Sequence, residues 1–96
     1  MKKYIEENQE ILKQLDLFVP IVNKVHGKNH PEFNEVKNNY DVINNKLNTN
    51  NFNLENEFTN LRKITSNYKI PNDVCESYEA VYLMLEKLDG SFNKGK

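Results

Sequence analysis

The sequence has 96 residues, with 13 basic side chains against 14 acidic ones and a formal net charge of −1. That length allows one domain with one modest core. The even charge balance argues against a nucleic-acid or membrane surface driven by electrostatics. Cys75 is the single cysteine, which excludes an internal disulfide. The opening Met1-Lys2-Lys3-Tyr4-Ile5-Glu6-Glu7 has no apolar leader core, and no apolar run approaches the ~20 residues of a membrane span. The expectation is a cytoplasmic protein with neither a membrane nor a nucleic-acid partner.

Apolar residues recur at alternating steps of three and four, which puts each group on one helical face. The first group is Ile11, Leu15, Phe18, Val22 and Val25, and it predicts a helix over 3–25. Pro20 lies inside it and is expected to kink or split it, because proline has no N–H to donate. His26-Gly27-Lys28-Asn29-His30-Pro31 then reads as a turn, with Gly27 suited to a positive φ and Pro31 to the first turn of the next helix. Phe33, Val36, Tyr40, Ile43 and Leu47 predict a helix over 31–47. Asn48-Thr49-Asn50-Asn51 breaks the pattern, and Asn53 is the expected N-cap of a third helix over 53–68, carrying Leu54, Phe58, Leu61, Thr65 and Tyr68. Lys69-Ile70-Pro71-Asn72-Asp73 is the next turn. Val74, Tyr78, Val81, Leu85 and Leu88, with Phe92 next at the same spacing, predict a fourth helix over 72–89, followed by a frayed tail over 90–96. Four helices with short connections predict an all-α, up-down-up-down four-helix bundle spanning 1–96 as a single domain.

Two segments carry a family resemblance. Val22-Asn23-Lys24-Val25-His26-Gly27-Lys28-Asn29-His30-Pro31-Glu32-Phe33 resembles the Val-His-Gly-x-x-His-Pro-Glu-Leu stretch of the hemerythrin-like iron–sulfur cluster repair (RIC) family. Leu61-Arg62-Lys63-Ile64-Thr65-Ser66-Asn67-Tyr68-Lys69-Ile70-Pro71-Asn72-Asp73-Val74-Cys75 resembles the family's Leu-Arg-x-Leu-Thr-x-x-Tyr-x-x-Pro-x-x-Ala-Cys stretch, and the likeness continues through Tyr78, Ala80, Tyr82 and Leu83. The resemblance implies a hemerythrin-like bundle. In that family histidines and bridging carboxylates hold a di-iron centre, and the attributed activity is repair of iron–sulfur clusters damaged by nitrosative or oxidative stress.

The family's ligands do not carry over to this sequence. Its histidine-rich first helix is matched here by Tyr4-Ile5-Glu6-Glu7-Asn8. Its His-x-x-x-Glu at the end of the second helix, and the His-Asp pair opening the third, are matched by Leu47 to Glu55, a stretch without histidine. The final His-x-x-x-Glu-Asn is matched by Gly90-Ser91-Phe92-Asn93-Lys94-Gly95-Lys96. The resemblance therefore implies a degenerate member with shortened second and third helices and no family-type iron site.

The remaining candidates are few. His26 and His30 are the only histidines, and thus the only metal-ligand candidates of that kind. The plainer reading is that His26 closes one helix and His30 precedes the next. Cys75 is either a redox thiol near a helix start or, more commonly for such a position, a small buried apolar group. Tyr68, Tyr78 and Tyr82 are expected in the core with their hydroxyls at its rim, and Glu76, Glu79 and Glu86 on a solvated face. Ser77 has no visible His/Asp partners for nucleophilic catalysis, and Gly27, Gly90 and Gly95 are too dispersed for a phosphate loop.

The functional expectation is a non-catalytic, metal-free relative with no cofactor, acting through a protein partner or as a homodimer, with apolar surface left at the end of the bundle where the helices are short. Two alternatives stand beside it: an iron-binding stress protein that repairs iron–sulfur clusters, and a small regulator that binds a host protein.

Overall fold

Helices account for almost all of the regular structure. In the computed structural model, which describes residues 2–94, they are α1 (Lys2–Glu7), α2 (Gln9–His26), α3 (Glu32–Asn48), α4 (Glu55–Thr65) and α5 (Glu76–Lys94), with no strand among the described residues. Together they form a compact helical bundle with a Cα radius of gyration of 12.6 Å. The closest helix pairs are α3 with α4, α2 with α5, and α2 with α3.

The predicted apolar stripes are the core. Phe33, Val36, Tyr40, Ile43 and Leu47 of α3 are all buried, as are Leu54, Phe58, Leu61, Thr65 and Tyr68 around α4. On α5 the buried set is Tyr78, Val81, Tyr82, Met84, Leu85, Leu88 and Phe92. The first stripe is shifted relative to its prediction. Leu15, Val19 and Val22 are buried, whereas Val25 is 65% exposed.

The helix boundaries differ from the sequence prediction at several points. The first predicted helix breaks at Asn8 and not at Pro20, and α2 runs through Pro20 from Gln9 to His26. Asn8 is buried, with φ −111° and ψ 14°. Its side-chain amide donates to the Tyr4 carbonyl oxygen at 2.9 Å and to Ser91 Oγ at 3.0 Å, so a side chain competes for the backbone acceptor there. Gly27 has φ −58°, which is right-handed and not the positive φ expected of it. What requires glycine is space: a Cβ at that position would lie 2.5 Å from the Asn23 carbonyl oxygen.

Helix α4 begins at Glu55 behind Leu54, so Asn53 is not the cap. The Asn53 N–H instead bonds to Asn51 Oδ1 at 3.1 Å within the preceding turn. The same helix stops at Thr65, three residues before the predicted end at 68, because Ser66, Asn67 and Tyr68 all take positive φ (53°, 62° and 63°). Helix α5 starts at Glu76 rather than at 72 and continues to Lys94. The expected fraying over 90–94 is therefore replaced by helix. Phe92 is buried against the rings of Tyr4 and Phe58, with centroids 6.2 and 5.3 Å away. Gly95 and Lys96 lie outside the described residues.

Candidate functional site

The His26–Pro31 turn and the start of α5 meet at one end of the bundle. His26 is the last residue of α2 and Cys75 immediately precedes α5. Although 49 positions apart, His26 Nε2 and Cys75 Sγ are 3.1 Å apart. The Cys75 side chain is exposed, so the expectation that it packs in the core is overturned.

His30 is nearby, with its ring centroid 6.2 Å from that of His26. Each of its nitrogens faces a carboxylate: Nδ1 lies 3.0 Å from Glu32 Oε1 and Nε2 lies 3.3 Å from Asp73 Oδ1. The Tyr78 ring packs against both imidazoles, with centroids 5.4 Å from each. Its plane stands at 83° to that of His26, an edge-to-face arrangement that fixes the imidazole's tilt. The Tyr78 hydroxyl is 3.1 Å from that of Tyr82 and 3.4 Å from Glu32 Oε1. Burial first, and then the neighbouring Tyr82 and Glu32, push the Tyr78 phenol well above its usual range. It remains neutral and acts as a hydrogen-bonding wall.

An open cleft of about 410 Å³ borders this cluster through Glu32 and Tyr82, and is otherwise lined by residues that include Thr65, Ser66, Lys69 and Pro71. Glu32 thus touches His30, Tyr78 and the cleft.

The sequence candidates therefore separate. His26, His30 and Cys75 come together, and Tyr78 and Tyr82 line the same place. Glu76, Glu79 and Glu86 are exposed on α5. Tyr68 belongs to a different network, donating its hydroxyl to Asp89 Oδ2 at 2.7 Å. Sequence reasoning did not single out Glu32 or Asp73 as members of the cluster. The only available signal was their position on either side of turns that also carry His30 and Cys75.

Among the described residues, no group of three or more His, Cys, Asp or Glu side chains is arranged to hold a metal ion. What the arrangement offers chemically is a nucleophilic sulfur beside an imidazole base. Comparisons with family models, with curated proteins and with solved structures return no match for the chain.

Proposed function

We propose that the chain is a degenerate, hemerythrin-like relative of the RIC family that works by self-association and not by catalysis or through a resident di-iron centre. Support for the topology comes from the contacts along the chain. The Tyr40 hydroxyl donates to Asp16, His26 meets Cys75, Lys46 pairs with Glu57, and Phe58 packs on Phe92. Tyr40 and Asp16 join the middles of α3 and α2, and the other three contacts join the far part of one helix to the near part of another or to the residue just before it, as in an up-down-up-down course.

The observation that carries the association reading is an apolar stripe on the outside of α2. Leu17, Ile21 and Val25 are spaced one turn apart and are 60%, 50% and 65% exposed. The stripe runs along the helix and not at the short end of the bundle, where the sequence had placed it. Other exposed large hydrophobics, Val42 and Leu83, sit on other helices. The stripe is self-complementary: an antiparallel second copy sets Leu17 of one chain against Ile21 of the other.

Sedimentation equilibrium and metal analysis on the same sample test the reading. The expected result is a concentration-dependent dimer without stoichiometric iron. A monomer at every concentration overturns self-association. Stoichiometric iron with an oxo-bridge absorption band overturns the degenerate-site reading. That outcome would support the alternative of an iron-binding repair factor.

A further inference from the structure

The pairing of His26 with Cys75 has no role in self-association through α2. We propose that it is a thiol–disulfide exchange site, at which Cys75 takes up a low-molecular-weight disulfide and His26 acts as the base.

The argument rests on three features of the geometry. The sulfur is exposed, so a small disulfide can approach it. An imidazole nitrogen from a different helix stands 3.1 Å from it, within reach of the thiol proton. That imidazole is held edge-on by the buried Tyr78 ring, at a centroid distance of 5.4 Å, so the base is pre-positioned. A solvent-exposed structural cysteine needs none of these.

The step balances as an exchange. The Cys75 thiol proton passes to His26 Nε2 as Sγ attacks one sulfur of the disulfide R–S–S–R. The Sγ–S bond forms, the S–S bond breaks, and the departing R–S⁻ takes the proton from His26 as R–SH. The incoming disulfide is the oxidant, and one of its two sulfurs leaves as the reduced thiol. Cys75 is the only cysteine in the chain, so no internal thiol can resolve the mixed disulfide. The adduct persists until an external thiol removes it, which makes the site a reversible modification and not a turnover site.

The test uses the full-length protein with oxidised glutathione, followed by intact mass. The expected result is a single adduct, removed by reduced thiol. It forms at least about tenfold faster in the native protein than in the same protein unfolded in urea, where the pair is separated. His26→Asn is expected to lose that acceleration while its circular dichroism stays native, and Cys75→Ser to form no adduct. A native rate no greater than the unfolded rate overturns the proposal. So does a folded His26→Asn variant that reacts as fast as the wild type. If His26→Asn does not fold, the native-to-unfolded comparison in the wild type decides alone. None of these readouts depends on iron content or dimerisation.

Discussion

Asp89 is buried on α5 and accepts hydrogen bonds from three side chains, from α4, the turn that follows it and α5 itself. Arg62 Nε and Nη2 reach it at 2.8 and 3.2 Å, the Tyr68 hydroxyl at 2.7 Å and Asn93 Nδ2 at 2.8 Å. A buried carboxylate is tolerable only when its oxygens are saturated in this way. The hydrogen bond to Asp89 raises the Arg62 guanidinium further above its already high range. Asp89→Ala leaves Arg62 and Tyr68 without their acceptor. It is expected to cost about 3 kcal/mol, seen as a lower urea midpoint. Tyr68→Phe removes one donor only and is expected to cost about 1 kcal/mol.

The same network holds a local strain in place. Ser66, Asn67 and Tyr68 sit consecutively in the left-handed region, where each non-glycine residue is disfavoured by about 1–2 kcal/mol. Ser66→Gly relieves that clash at the first of the three positions. It is expected to raise stability by up to about 1 kcal/mol, after the larger loss of chain entropy on ordering glycine. Thermal unfolding compared with the wild type checks the sign.

At the scale of the helices, α2 has two different faces. Leu15, Val19 and Val22 are buried on one, and Leu17, Ile21 and Val25 are exposed on the other. A charge placed on the outer face should therefore leave folding intact and affect association. Ile21→Lys is expected to change monomer stability by no more than about 0.5 kcal/mol and to abolish the dimer in sedimentation equilibrium. A dimer that survives the substitution places the interface elsewhere. By contrast, Leu85→Ala on the fully buried face of α5 is expected to cost about 2–5 kcal/mol through the cavity it leaves.

For the molecule as a whole, buried tyrosines are expected to set the alkaline limit of stability. Tyr4, Tyr40, Tyr68 and Tyr78 have phenols raised above their ordinary value of 10.0, in each case first by burial. Tyr82 is shifted in the same direction, again first by burial. A raised phenol favours the folded state while it is neutral. Its contribution is complete below the unfolded value and is lost as pH rises from about 10 toward the folded values. The expected outcome is constant helicity through neutral pH and cooperative unfolding above about pH 10, with tyrosinate absorbance and the loss of circular dichroism appearing together. Gradual tyrosine ionisation in a protein that remains helical would contradict this.

The sequence by itself determined the helical class and most of the core, because an apolar stripe at helical spacing has one economical way to leave water. It therefore placed Phe33, Val36, Tyr40, Ile43 and Leu47, and the stripe from Leu54 to Tyr68, without help from any long-range contact. It read the first stripe less well. Val19 and Val25 both lie near the boundary of the apolar face, and which one is buried depends on where α3 and α5 dock. The tertiary structure alone decided the break at Asn8, which depends on a hydrogen bond to Ser91, 83 positions away. It also decided the helical end of α5, where Phe92 closes on Tyr4 and Phe58. The candidate site followed the same division. Local spacing marked His26, His30 and Cys75 as the residues to weigh, but local spacing has no term for contacts made 49 positions apart. Only the docking of α2 against α5 put the imidazole beside the sulfur.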